Sequence, residues 1–349
     1  MPTLPAFSID THINRSPHVV LLGAGASKAA FPDGDSNGKT VPLMCELVEC
    51  LGLEEILKSH GIKHDGVDFE TLYNDLVSSG THPDLVEHIN KCVQAWFESL
   101  TLPESATFYD YLVLSLREKD LIATFNWDPF LPLAWERNCN VVKLPQMAFL
   151  HGNVGICVCM KDRVKDFMGT VCQKCGELLG PTPLLYPIKQ KDYSSHGFIN
   201  SEWNLIREFM KHAYYLTIFG YAAPTTDVEA KELLLNSWKQ NPAFELAEIE
   251  IIDIKPRDVI ENTWKEFFCR SHYGIGVSIW DSYLFNYPRR SCEALAMATL
   301  QNMPWRFNPF PRTKYLEELQ GCARRLWEEE ITGNFSGEPY NLGRTVIRD

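Results

Sequence analysis

The stretch His18-Val-Val-Leu-Leu-Gly-Ala-Gly-Ala-Ser27 decides the fold, because it reads as a buried strand that runs directly into a glycine turn. In a doubly wound α/β fold, this junction binds a dinucleotide at the start of a helix. Gly23 permits the tight turn, and Gly25 lets backbone N–H groups approach a pyrophosphate. The candidate cofactor-binding residues of this loop are therefore Gly23, Ala24, Gly25, Ala26 and Ser27.

The glycine pattern is incomplete, since Lys28 occupies the position of the third glycine of the dinucleotide fingerprint. A tight strand-to-helix turn without a ligand explains the same residues equally well. Ser27 also has two interpretations, because its hydroxyl can hydrogen-bond a phosphate or cap the following helix.

Outward from this stretch, short apolar runs alternate with helical patterns. Several runs are continuously apolar, which is typical of strands covered on both faces. The predicted strands are His18–Leu22, Leu121–Phe125, Gln146–Leu150, Tyr214–Phe219, Glu248–Ile254 and Gly276–Trp280. The predicted helices are Pro42–Leu57, Pro83–Leu100, Trp203–His212, Thr226–Lys239, Pro256–Phe268 and Arg312–Glu330. This alternation predicts an α/β fold with a Rossmann-like parallel sheet.

Two segments interrupt the alternation. Residues 40–118 read as several helices, more than a single crossover needs, and predict a helical insertion that packs over the ligand cleft and helps assembly. Residues 155–200 are rich in cysteine and predict a small zinc-binding module. The Rossmann-like domain is then expected to comprise residues 1–39, 119–154 and 201–285, with a C-terminal helical segment at 286–349.

The composition is that of a globular protein. The 349 residues are 45% hydrophobic and 22% charged, with a net charge of −12 that argues against direct nucleic-acid binding. We see no apolar run long enough for a membrane span and no signal peptide, so we expect no membrane association and a cytoplasmic location. The 11 cysteines then favour thiols and a metal site over disulfides.

Asn126 and Asp128 follow the second predicted strand in the sequence Ala123-Thr-Phe-Asn-Trp-Asp128. Ligands of open α/β sheets bind outside the carboxyl ends of the strands. A carboxamide and a carboxylate at this place can contact ribose hydroxyls or position a water. The alternative is that both side chains cap the helix that starts near Pro129.

Three other predicted strands end in polar or glycine residues. His151, in Phe149-Leu-His-Gly152, is a candidate general base, although a single histidine is usually structural. Gly220 forms another glycine turn, and Asp253 is a familiar kind of partner for ribose hydroxyls. The alternatives are a plain turn at Gly220 and a helix cap at Asp253.

Two cysteine pairs make up the last motif. Cys157 and Cys159 are followed by Cys172 and Cys175, and four thiolates in two close pairs suit a tetrahedral structural zinc ion. The first pair is one residue tighter than the usual spacing. Four reduced thiols without a metal are the alternative.

Taken together and in this order, the motifs resemble the sirtuin family. The resemblance rests on GAGAS with Phe31-Pro-Asp33, then TFNWD, the His-Gly pair, the paired cysteines, the glycine turn and the acidic strand end, from about residue 18 to 256. It is closer to the bacterial sirtuin-like domains of antiphage defence than to the protein deacylases. It implies that NAD+ lies across the strand ends, with Asn126 and His151 catalytic. Gly220 and Tyr221 would flank the phosphates and ribose, Asp128 and Asp253 would bind the cofactor, and the cysteines would hold structural Zn²⁺.

Departures from the deacylase pattern bear on the reaction. Gly34-Asp35 follows Pro32-Asp33 where deacylases carry an arginine, and Pro129-Phe-Leu-Pro-Leu133 replaces their Leu-His stretch. We therefore expect water as the acceptor, which makes the chain an NAD+ glycohydrolase and a defence effector that depletes NAD+. The alternatives are a deacylase, an ADP-ribosyltransferase and a non-catalytic module that senses NAD+ or ADP-ribose. We expect a homo-oligomer, controlled by its own assembly or by a partner ATPase or sensor protein.

Overall fold

A six-stranded parallel sheet forms the centre of the molecule. The computed structural model describes residues 16–64, 66–188, 193, 196–224, 227–302 and 304–332. The strands of this sheet are β1 (His18–Leu22), β2 (Leu121–Thr124), β3 (Gln146–Phe149), β7 (Tyr215–Phe219), β8 (Glu248–Ile252) and β9 (Tyr273–Gly276). Their order is β3-β2-β1-β7-β8-β9, and every neighbouring pair is parallel. The predicted α/β fold with a Rossmann-like sheet is confirmed.

Helices cover both faces of the sheet and fill the insertion. Their bounds are α1 (Ala24–Ala30), α2 (Leu47–Cys50), α3 (Glu54–Ser59), α4 (Phe69–Ser79), α5 (Pro83–Glu98), α6 (Phe108–Leu114), α7 (Phe130–Asn138), α8 (Gly197–Met210), α9 (Val228–Lys239), α10 (Arg257–Trp264), α11 (Tyr283–Asn286), α12 (Ser291–Leu300) and α13 (Leu316–Thr332). Within the described ranges, none of these helices is both long enough and apolar enough to cross a bilayer.

Two predicted elements differ from the structure. The strand predicted at Gly276–Trp280 is wrong, because β9 lies at Tyr273–Gly276 and pairs there with β8. The chain then turns into a short 3₁₀ segment, where the Ser278 hydroxyl accepts a hydrogen bond from the N–H of Trp280. The helix predicted at Pro42–Leu57 is interrupted, because Gly52 adopts a φ of 63° between α2 and α3.

The insertion, residues 40–118, carries α2 to α6 between β1 and β2. It is tied to the Rossmann-like part by an ion pair of 2.9 Å between Lys28 on α1 and Glu46. The last helix of the insertion, α6, packs against α7 and α13. The insertion is therefore part of the same packed core and not a separate lobe.

A second, smaller sheet follows β3. Its three antiparallel strands are β4 (Ile156–Cys159), β5 (Val164–Phe167) and β6 (Gly180–Pro181), in the order β5-β4-β6. This sheet carries the cysteines of the predicted zinc module.

Two glycine turns interlock at the centre of the large sheet, where the strand order reverses between β1 and β7. Gly25 N–H donates to Gly220 O at 3.0 Å, and Gly23 N–H donates to Phe219 O at 3.1 Å. A Cβ at Gly220 would lie 2.2 Å from Ala26 N, and Gly220 has a φ of +64°. A Cβ at Gly23 would lie 2.5 Å from Gly220 O. The two turns can meet only because both lack side chains.

Gly220→Ala tests this close approach. We expect it to lower the free energy of unfolding by more than the roughly 1–2 kcal/mol that a left-handed conformation alone costs a non-glycine residue, because the added methyl group also meets backbone atoms. Gly80→Ala is the matched control, since Gly80 has a φ of +62° with nothing within 4 Å of its would-be Cβ. Urea unfolding measures both variants, and equal losses would contradict the interlock.

Candidate active site

A cleft of about 1330 Å³ opens at the carboxyl ends of the parallel strands. This volume exceeds the roughly 300–1,000 Å³ of common small-molecule sites, so the cleft has room for a ligand as large as a dinucleotide. Most of the predicted site residues line it, namely Gly23, Ala24, Gly25, Asn126, Asp128, His151, Gly220, Tyr221 and Asp253. The structure thus brings together side chains from five separate strand ends.

The glycine turns contribute shape more than hydrogen-bond donors. The N–H groups of Gly23 and Gly25 are both donated to backbone oxygens of the facing turn. The N–H of Ala26 is donated to Gly23 O at 2.9 Å. These backbone N–H groups are therefore already hydrogen-bonded within the protein. Where Gly23, Gly25 and Gly220 line the cleft, its wall carries no side chains.

Ala26 and Ser27 lie beneath the cleft, and both are fully buried. The helix-cap alternative for Ser27 is wrong, because α1 begins at Ala24 and Gly23 is the residue before it. The predicted contact of Ser27 with the cofactor stays a prediction, although Ser27 does not line the cleft. Instead, Ser27 Oγ lies 2.7 Å from Asp128 Oδ2, 2.6 Å from the Tyr109 hydroxyl and 2.9 Å from Asn126 Nδ2. Below the cleft floor, Ser27 thus connects the side chains of Tyr109, Asn126 and Asp128 by hydrogen bonds.

Asn126 is held by its amide nitrogen. Asn126 Nδ2 donates to Gly23 O at 3.0 Å and to Ser27 Oγ at 2.9 Å. Because a carbonyl oxygen can only accept, the contact with Gly23 fixes which end of the amide is the NH₂ group. Asn126 Oδ1 is then left buried and without a hydrogen-bond partner among the described residues. A buried acceptor of this kind costs about 1–3 kcal/mol, which a ligand that donates a hydrogen bond would recover.

Asp128 has two roles that the sequence left as alternatives. Its Oδ1 accepts a hydrogen bond of 3.3 Å from Phe130 N–H at the start of α7, as a cap does, and its Oδ2 accepts one from Ser27. Burial raises the pKa of Asp128 to about 6, against the opposing effect of the Ser27 hydrogen bond. The ionised carboxylate therefore predominates only above about pH 6.

His151 packs among aromatic rings at the cleft wall. Its ring is edge-on to Phe125 with centroids 4.8 Å apart, and its Nε2 lies 3.5 Å from the Tyr193 hydroxyl. Only 7% of His151 is exposed. A histidine so oriented can exchange a proton with a ligand in the cleft, and the bend after it, where Gly152 has a φ of 78°, keeps the ring at the strand end.

Tyr221 and Asp253 line the other half of the cleft. Tyr221 stacks on Phe125 with centroids 4.1 Å apart, and its hydroxyl donates to Asp227 Oδ2 at 3.3 Å. Asp253 Oδ1 accepts from Lys255 N–H at 3.0 Å and so closes a turn before α10. It does not cap that helix, which follows Pro256 without a side-chain cap, and it lines the cleft.

Two contributors were missed from the sequence. Tyr109 lies in the apolar run Phe108–Leu114, which gives no sign that its hydroxyl reaches the site. Asn153 donates its Nδ2 to the backbone oxygens of Asn126 and Asp128 at 3.1 and 2.7 Å and so fixes that loop. Its place two residues after His151 is the only signal that could have pointed to it.

The candidate metal group differs from the predicted one by one ligand. Cys159, Asp162, Cys172 and Cys175 hold their ligand atoms within 4.8 Å of one another. The Sγ atoms of Cys159 and Cys175 are 3.7 Å apart, and Asp162 Oδ2 lies 3.5 Å from Cys159 Sγ and 3.2 Å from Cys172 Sγ. Ligand atoms of tetrahedral zinc are about 3.5–3.8 Å apart, given its bond lengths. This group therefore fits a structural zinc ion.

Cys157 lies outside this group, which corrects its predicted role as a ligand. The Cys157 Sγ instead donates to Phe167 O at 2.8 Å. Asp162, in the turn between β4 and β5, takes the fourth position.

Comparisons with known proteins give distant structural similarity only. A scan against protein-family models found no match, and neither did a search of curated proteins. A solved Sir2 homolog–NAD complex has 14% identity and a TM-score of 0.40 over 90% of this chain and 92% of its own. A Sir2 structure with the inhibitor EX-527, 2'-O-acetyl-ADP-ribose and a deacetylated p53 peptide has 14% identity and a TM-score of 0.39 over 82% and 94%. Similarity at this level transfers neither a ligand nor an activity.

Zinc content tests the metal group. Protein purified without chelator should contain about one zinc per chain, and Cys175→Ser or Asp162→Ala should lower both the zinc content and the melting temperature. Cys157→Ser is the matched control and should keep its zinc. Elemental analysis measures the zinc content of each variant. If Cys157→Ser loses the metal and Asp162→Ala retains it, the ligands are the four cysteines and not the group with Asp162.

Proposed function

We propose that this chain binds NAD+ in the cleft and hydrolyses the bond between nicotinamide and ribose, releasing nicotinamide and ADP-ribose. The observation that carries the proposal is the Asn126 amide, whose NH₂ group is held from below while its oxygen has no hydrogen-bond partner in the described part of the chain. An acceptor fixed in this way suits a ribose hydroxyl or an attacking water. NAD+ supplies the ribose, and the side-chain-free wall at Gly23 and Gly220 suits its pyrophosphate.

The reaction needs a leaving group, a nucleophile and a base. Cleavage of the glycosidic bond sends its electron pair to the pyridinium nitrogen, so nicotinamide leaves as a neutral molecule and the ribose passes through an oxocarbenium-like state. Water adds to that carbon and gives up a proton. In our proposal, Asn126 orients the ribose or the water, and His151 accepts the proton.

Aromatic packing on the Asn126 side favours water as the acceptor. Trp127 contacts Phe97 of α5 and Tyr186 with centroids 5.6 and 5.3 Å apart. Tyr186 stacks on Tyr73 of α4 at 4.9 Å, and both hydroxyls bond Asn90, at 3.1 and 2.8 Å. The insertion is thereby fixed against the loop that carries Asn126. This packing holds the Asn126 side chain in one place, as the orientation of a single attacking water requires.

Release of nicotinamide from NAD+ alone separates this reaction from its alternatives. A deacylase or ADP-ribosyltransferase would need a second substrate, and a sensing module would bind NAD+ or ADP-ribose without releasing nicotinamide. As the biological role we propose an antiphage-defence effector that depletes NAD+. Because unrestrained hydrolysis would harm its own cell, we expect control by homo-oligomer assembly or by a partner such as an ATPase or sensor protein.

Paired variants test the two catalytic assignments. Asn126→Ala should slow nicotinamide release about a hundredfold or more, and His151→Ala by roughly 10²–10⁴, each with little change in melting temperature. Asn204→Ala and His88→Ala are matched controls at exposed positions. Chromatography of nicotinamide and a thermal melt on the same samples give both readouts. Active variants with lowered melting points would instead make both residues structural.

A further inference from the structure

Tyr109 brings a hydroxyl from the insertion to the underside of the cleft. It lies on α6, is 1% exposed, and packs its ring against the pair formed by Phe31 and Phe130, with its centroid 6.1 Å from each. In these apolar surroundings its hydroxyl lies 2.6 Å from Ser27 Oγ. A phenol placed so deep normally has a specific hydrogen-bonding role.

Counting donors fixes the direction of every bond around Ser27. A serine hydroxyl has one proton and two lone pairs. An ionised Asp128 can only accept, so the Ser27 proton goes to its Oδ2, 2.7 Å away. Asn126 Nδ2 at 2.9 Å can only donate, so it takes one lone pair. The Tyr109 hydroxyl must then donate to the other lone pair, and Ser27 is fully satisfied.

We propose that Tyr109 is a positioning residue of the site, which acts through Ser27 to hold the Asn126 amide with its oxygen available to the substrate. This inference rests on the proposed function for its kinetic consequence. The insertion then does more than cover the cleft, because it supplies the last donor of the chain Tyr109–Ser27–Asn126. Tyr109 touches no ligand position, so its effect on the reaction is transmitted by hydrogen bonds alone.

The directions of the hydrogen bonds around Ser27 also link Tyr109 to the charge on Asp128. The groups that face this carboxyl are the Ser27 hydroxyl, the Tyr109 phenol beyond it, and Phe130 N–H. Protonation of Asp128 at Oδ2 would make this carboxyl a donor to Ser27, so the Ser27 proton would have to turn to Tyr109 and the bond between the two hydroxyls would reverse. When Tyr109 donates, it strengthens the bond from Ser27 to the carboxylate and so favours the ionised form. Tyr109 therefore disfavours the protonated form, and its removal should raise the pKa of Asp128 above its value of about 6.

Tyr109→Phe is the direct test, because it keeps the ring and removes only the donor. We expect kcat for nicotinamide release to fall about tenfold with KM changed less than about twofold. We also expect the pKa of Asp128, followed by infrared difference spectra against Asp128→Asn, to rise by about half a unit or more. Ser27→Ala, which removes the middle of the chain, should reproduce the kinetic loss.

Tyr287→Phe is the matched control. Tyr287 is also buried, and its hydroxyl donates to Trp305 O at 2.8 Å outside the cleft lining. It should lower the melting temperature about as much as Tyr109→Phe and leave kcat and the Asp128 pKa unchanged. If Tyr109→Phe behaves in the same way as this control, the positioning role is overturned. If the unaltered protein releases no nicotinamide, the proposed reaction is wrong. The pKa of Asp128 still tests whether Tyr109 fixes the direction of the hydrogen bonds around Ser27.

Discussion

The contact between two glycine turns is the constraint on which the rest of the structure depends. Gly23 and Gly25 follow β1, Gly220 follows β7, and their backbones approach so closely that a side chain on any of them would meet backbone atoms of the facing turn. This contact lies at the point where the strand order reverses, which is where open α/β sheets form their ligand crevice. It also fixes Gly23 O, the acceptor that orients the Asn126 amide.

The insertion is the second determinant of the site. It reaches the Rossmann-like part through the Lys28–Glu46 ion pair, through the aromatic contacts of Trp127, and through the buried hydroxyl of Tyr109. These three contacts lie at the rim, the wall and the floor of one cleft. The insertion lines the cleft and completes its hydrogen bonds, so a shift of the insertion would change the geometry of the site. This is the physical basis on which we expect activity to respond to assembly or to a partner.

Local patterns predicted the sheet well, and side-chain roles less well. The strand His18–Leu22 was predicted to the residue, because a continuous apolar run followed by glycine is a strong signal. The last strand was predicted in the wrong place, because Ile279 and Trp280 pack against the core in a 3₁₀ segment and do not pair with a neighbouring strand. The hydrogen-bond partners of Ser27 could not be predicted from the local sequence, because Tyr109 and Asp128 are 82 and 101 residues away along the chain.

The candidate metal group also shows that local sequence does not reveal contacts that form only in the folded chain. Cysteine spacing suggested four thiolates, but Cys157 hydrogen-bonds Phe167 O outside the group, and only the folded turn brings in Asp162. Asn126, Asp128 and His151 were found from the sequence because parallel strands deliver their carboxyl ends to one edge. The sequence could not show which atom of the Asn126 amide is hydrogen-bonded within the protein. That orientation depends on an acceptor, Gly23 O, which is 103 residues away along the chain.

The source of the oxygen in the product tests the central claim most directly. The protein is incubated with NAD+ as its only substrate in water labelled with heavy oxygen, and the ADP-ribose formed is analysed by mass spectrometry. The account predicts nicotinamide and ADP-ribose in equal amounts, with one labelled oxygen on the ribose carbon that carried nicotinamide. Bound NAD+ that stays intact, or turnover that begins only when an acylated or acceptor protein is added, would contradict it.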